Sequence, residues 1–96
     1  MKLRVALGDT LRDLRLEKHR TLREVCATAG VALGYLSEIE RGQKEASSEI
    51  LESIAFALGI SVPEILILTA LNMGGTFPDT PEEILDNYLD TMIVSK

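Results

Sequence analysis

The sequence predicts an all-α fold, and three observations carry that expectation. Apolar residues recur at i, i+3, i+4 and i+7 in two separate stretches, Leu22-Val25-Cys26-Ala29 and Leu51-Ile54-Ala55-Leu58, the stripe of an amphipathic helix. Helix-start signals open several segments: Thr21 with Glu24, Ser61 with Glu64, and Thr80 with Pro81 and Glu83. Glycines stand where segments should stop, at Gly30, Gly42 and Gly59, since a residue without Cβ enters the left-handed region freely.

Taken in order, residues 1–6 are expected to form a partly ordered arm. Asp9 or Gly8 begins the first helix, with Leu7, Leu11 and Leu14 inward. Arg12, Arg15, Lys18 and Arg20 are assigned to its solvated sides. His19 lies in the polar link that follows and is expected to be exposed rather than a metal ligand or a base.

The second helix starts on the capping box Thr21/Glu24 and stops at Gly30. Val31 tucks under the turn. The third helix runs from about Leu33 to Arg41, with Leu36 and Ile39 on its inner face and Gly42 closing it. Two short helices joined by a glycine-containing turn make a helix-turn-helix. Once Leu36 and Ile39 go to the core, Leu33, Gly34, Tyr35, Ser37, Glu38 and Arg41 remain outside, a face able to enter a major groove about 12 Å wide.

Ser47 or Ser48 caps the fourth helix, whose stripe belongs to the core and which ends at Gly59. The fifth, Val62 to about Asn72, is apolar nearly all round, more than one small core can bury, so it predicts a partner. Gly74-Gly75 breaks it. A last helix, Pro81 to about Ile93, carries Ile84, Leu85, Tyr88, Leu89 and Met92 on one side and acids on the other. With Ile67, Leu68 and Leu71 it is expected to build a homodimer.

Leu11, Leu14, Thr21, Glu24, Gly30 and Val31, then Tyr35-Leu36-Ser37 and Ile39-Glu40-Arg41-Gly42, and finally Ala57-Leu58-Gly59-Ile60-Ser61, together resemble the Cro/repressor (XRE) type of helix-turn-helix domain. The resemblance covers about Leu7 to Leu66. The fuller run through Arg20-Thr21-Leu22 and Gly42-Gln43-Lys44 is similar to the actinobacterial regulators of Clp protease genes (ClgR-like).

The resemblance implies a five-helix Cro/repressor-like domain over residues 1–66 and a dimerising extension over 67–96. It also implies roles. Leu33, Gly34 and Glu38 would face base edges, with Tyr35 and Ser37 nearer the backbone. Arg15 would approach the DNA backbone, and Gln43 and Lys44 would lie on phosphates. Glu40 and Arg41 would pair with each other or with the first helix, and for Arg41 contact with DNA is an equal alternative. Leu22 replaces a glutamine common in the family, which removes one phosphate contact that Arg23 beside it can supply. Ala32 replaces the family's N-cap Ser or Thr, and Cys26 a common Ala.

The 96 residues carry a net charge of −5, which at first argues against nucleic acid. Its distribution argues the other way. Residues 1–45 hold nine Lys or Arg against seven Asp or Glu, a net of +2; residues 46–96 hold one against eight, a net of −7. Bases therefore gather in the half with the helix-turn-helix, apart from an acidic association half. One cysteine makes no internal disulfide, no charge-free apolar run is long enough to span a bilayer, and no signal peptide is recognisable. No metal-ligand cluster, Cys/His pair or phosphate-cradling glycine loop is present, so neither an enzyme nor a cofactor is expected.

The sequence thus points to a cytoplasmic, nucleoid-associated regulator that binds double-stranded DNA as a homodimer on a near-palindromic operator, with no membrane and no small-molecule ligand. Activation of Clp protease genes is what the narrower resemblance implies. The alternative is a protein-interaction module, an antitoxin or adaptor, that uses the acidic tail.

Overall fold

The computed structural model describes residues 2–74, which form five α-helices and no strand: α1 (Leu3–Glu17), α2 (Leu22–Ala29), α3 (Leu33–Glu40), α4 (Ser48–Leu58) and α5 (Val62–Asn72). The expected final helix, with Ile84, Leu85, Tyr88, Leu89 and Met92, lies outside the described residues.

Three helices, α2, α4 and α5, begin on the caps the sequence offered, and α2 and α4 also end on the expected glycines. Thr21 Oγ1 accepts from the Glu24 amide (3.1 Å) and the Glu24 carboxylate accepts from the Thr21 amide (2.9 Å), so two orphan donors are satisfied reciprocally. That backbone bond, then the side-chain bond with Thr21, holds the Glu24 carboxyl below its usual pKa. Ser47 caps α4 through the Ile50 amide, and Ser61 caps α5 through the Glu64 amide. The second capping box is only half built: the Glu64 carboxylate takes the Ser61 hydroxyl (3.1 Å). Gly30 and Gly59 terminate α2 and α4 at φ of 70° and 68°.

The first helix differs from expectation. It starts at Leu3, not at Gly8 or Asp9, and residues 3–6 are helix rather than arm. Lys2 makes no side-chain cap, so no start signal marks the place. Tertiary contacts supply what capping does not: Ala6 is fully buried, and Val5 packs on Gly42. Gly8 is an interior helical residue. A Cβ there would lie 2.8 Å from the Glu40 carbonyl oxygen and closer still to that of Ile39, so glycine lets the end of α3 rest on the α1 backbone.

The core gathers Leu11 and Leu14 of α1, Val25 and Cys26 of α2, Val31 of the turn that follows, Leu36 and Ile39 of α3, Ile54, Ala55 and Leu58 of α4, and Ile65 of α5. Helix α1 packs on both α3 and α5, while α2 packs on α3 and α4. The α1–α5 contact carries a polar clasp: Asn72 Nδ2 donates to Thr10 Oγ1 (2.7 Å), which itself donates to the Ala6 carbonyl (2.9 Å). Burial pushes the Cys26 thiol up, with the Glu40 charge adding to the shift and Arg15 opposing it. That is an inert core thiol rather than a reactive one. Outside the core, α5 exposes Leu66, Ile67, Leu68, Leu71 and Met73, and Phe56 of α4 is 79% exposed. Among the described residues no single helix is long and apolar enough to cross a membrane.

Candidate nucleic-acid interface

Helix α3 is held with one face in and one face out. Leu36, Ile39 and Glu40 are buried; Leu33, Gly34 and Arg41 are exposed; Tyr35, Ser37 and Glu38 are half-buried between them. Its far end is fastened several times over. The Gly42 amide donates to the Ile39 carbonyl (3.0 Å) and the Gln43 amide to that of Glu38 (2.9 Å). Tyr35 Oη donates to the Glu45 carbonyl (2.9 Å), which ties the helix to the loop that follows. The Gln43 and Lys44 side chains on that loop are exposed. The near end has no such fastening: Ala32 offers no side-chain cap, as the substitution predicted.

Arg15 is where the structure departs most from the sequence reading. Expected on a solvated side and turned toward the DNA backbone, it is buried. Its Nε and Nη2 donate to the two carboxylate oxygens of Glu40 at 2.8 and 2.9 Å, and Nη1 donates to the Arg20 carbonyl at 2.9 Å. The side-chain bond to Glu40 raises the Arg15 pKa above its ordinary value, against burial, which lowers it, and with the Glu40 charge, which raises it again. The physical reason for the displacement is the carboxylate: once Glu40 turns inward, an unpaired buried charge would be costly, and Arg15 is the fork that matches it. Of the two partners left open for Glu40, Arg41 and the first helix, the first helix is the one observed.

The predicted residues do not all come together. Arg15, Leu22, Ser37 and Arg41 line one open cleft between α1, the start of α2 and the outer side of α3, along with Asp9, Arg12 and Glu40. Arg12, expected on a solvated side, stands at this cleft with exposed Arg41; how α1 lies on α3 sets that placement, and no local sequence signal carries it. Leu22 is half-buried and packs on the core, so its side chain serves the fold. The first-turn N–H groups of α2 at Leu22 and Arg23 have no intrahelical acceptor and sit at the positive end of the helix dipole. Arg23 is exposed beside them. Gln43 and Lys44 do not line this cleft; they follow Arg41 on the loop after α3, where Lys44 borders a separate cavity with Leu3, Arg4 and Leu7.

Gly34 is informative in a different way. It lies in α3 without a positive φ, and a Cβ added there would meet nothing within 4 Å. The fold does not require glycine at this position, and helices generally lose stability by carrying it.

Among the described residues, no group of three or more His, Cys, Asp or Glu side chains is placed to hold a metal ion.

Comparison with known proteins bears on the same segment. A helix-turn-helix family model matches residues 11–65. Over 65 residues the chain is 54% identical to the transcriptional regulator ClgR of Mycobacterium tuberculosis; that stretch is 68% of this chain and spans only 58% of the relative's length. The crystal structure of the clp gene regulator ClgR from Corynebacterium glutamicum superposes with a TM-score of 0.75 at 41% identity, covering 99% of this chain and 95% of that one. The restriction-modification controller protein C.AhdI from Aeromonas hydrophila follows at a TM-score of 0.62 and 31% identity, over 64% of this chain and 92% of its own. With the paired helices α2 and α3 inside the matched residues, the chain belongs to the XRE-type helix-turn-helix family and is ClgR-like within it.

Proposed function

We propose that the chain is a sequence-specific DNA-binding transcription regulator that acts as a homodimer on a near-palindromic operator. The observation that carries this reading is the outer face of α3, where Leu33 and Gly34 project from a helix whose other side is locked into the core. Leu33 would press on a thymine methyl, and Glu38 would accept from a cytosine amino group. Gly34 would let the helix sit deep. Tyr35 and Ser37 would lie nearer the backbone.

The first-turn amides of α2 with Arg23, and Gln43 and Lys44 in the loop after α3, would hold phosphates and fix register. Arg12 and Arg41 would hold a further phosphate across their cleft. Arg15, its charge matched by Glu40, would act by placing α3 rather than by touching DNA. The exposed apolar side of α5, with Ile67, Leu68 and Leu71, supports a homodimer whose recognition helices enter major grooves roughly 34 Å apart. Likeness to ClgR supports Clp protease genes as targets, with activation as the sense of control.

Selection of bound fragments from random double-stranded DNA tests the reading and returns the operator; a recovered site without two-fold symmetry would contradict the dimer. Titration of the selected fragment with salt should give log K against log [salt] a slope of a few phosphate contacts per subunit, about −0.9 for each. A flat line would exclude the mechanism.

Gly34→Ala separates binding from folding. The free domain should gain up to about 1 kcal/mol in denaturant unfolding, because alanine fits the helix and meets no neighbour. Affinity for the selected fragment should nevertheless fall. Unchanged affinity would remove Gly34 from the contact face.

A further inference from the structure

We propose that Arg4 is a positioning residue for the loop after α3, an assignment whose consequence for affinity rests on the DNA-binding reading above. Residues 1–6 read from sequence as an arm; in the structure residues 3–6 open α1, and Arg4 and Val5 meet the end of α3 directly. Arg4 Nε donates to the Gly42 carbonyl at 2.8 Å. Gly42 leaves the helix at φ +73°, and the Val5 side chain fills the space where a Cβ would stand, 2.9 Å away. One residue is therefore gripped twice, by a hydrogen bond on its carbonyl and by an apolar contact on its Cα. The two residues that follow it are Gln43 and Lys44, which are exposed. A loop leaving a helix through a left-handed glycine has many directions open to it. The bond from Arg4 selects one of them, and so sets where the Lys44 ammonium stands.

The test is a double-mutant cycle on the full chain, with the fragment recovered from random DNA as probe. Arg4→Met should weaken binding about three- to tenfold in the wild-type background, the size of one lost hydrogen bond, and less than twofold in a Lys44→Ala background. Equal losses in both backgrounds would overturn the proposal, since a direct phosphate contact by Arg4 acts independently of Lys44. Arg4→Lys, which keeps the stem and the charge but not the Nε donor, should behave like Arg4→Met; a near-wild-type result would also overturn it. In the free protein, amide exchange at Gly42 and Gln43 should rise severalfold in Arg4→Met. Unchanged exchange rejects the positioning role whatever the DNA results are. A wild-type chain that binds no DNA would reject the regulator reading, and exchange would still decide what Arg4 does to the loop.

Discussion

Glu40→Ala lowers the stability of the domain by about 3–5 kcal/mol, the range found when one member of a buried ion pair is removed and the other is stranded. The Arg15 and Glu40 side chains are only 10% and 6% exposed, so water cannot take over the role of the missing partner. For a domain of this size the thermal midpoint should drop by roughly 12 °C or more. Arg15→Met should cost a comparable amount. The double variant Arg15→Met/Glu40→Met should recover most of the loss, because apolar replacement of both partners leaves no buried charge. A double variant as unstable as the two singles summed would show that the pair contributes shape and hydrogen bonds no apolar core can imitate. Recovered stability without recovered DNA affinity would assign the pair to the placement of α3.

Gly8→Ala is the second large effect, and its sign is opposite to habit. A glycine-to-alanine change inside a helix ordinarily stabilises by about 0.5–1 kcal/mol. Here the new methyl would be driven into the Ile39 and Glu40 carbonyl oxygens, which are backbone and cannot rotate away. Helices α1 and α3 must separate, which disturbs the Arg15–Glu40 geometry as well, and the net cost should be about 1–3 kcal/mol in denaturant unfolding. The contrast with Gly34 is the sharper test. Both glycines are helical, yet alanine should destabilise at Gly8 and stabilise at Gly34. If the two changes shift stability in the same direction, the close approach of α1 and α3 is not as tight as described.

What could be read from the chain was local chemistry. Thr21, Ser47 and Ser61 marked three helix starts, and Gly30 and Gly59 two stops, because caps act over three or four residues. Stripes at helical spacing placed Ile54, Ala55 and Leu58 in the core for the same reason. The absent cap at Ala32 was legible too. The misses all involve distant partners. Nothing near Arg15 announces that Glu40, 25 residues on, will claim its guanidinium. The start of α1 was missed because its stabilising contacts lie at Gly42 and beyond. Thr10 looked like an ordinary helix residue, although its hydroxyl meets Asn72 across 62 residues. For the candidate DNA face, the outward side of α3 was legible in the sequence; the cleft that brings Arg12 beside Arg41 emerges only when α1 is laid across α3.

The unequal fastening of α3 has a mechanical consequence. Its C-terminal end is bolted by an ion pair and two backbone bonds, Tyr35 ties its first turn to the loop beyond, and Ala32 adds no side-chain bond at its start. The load is therefore carried mainly at the root, and the lightest fastening is at the tip where Leu33 and Gly34 stand. On the DNA-binding reading proposed above, small mismatches in groove width would be absorbed at that tip, without strain reaching the α1 seat.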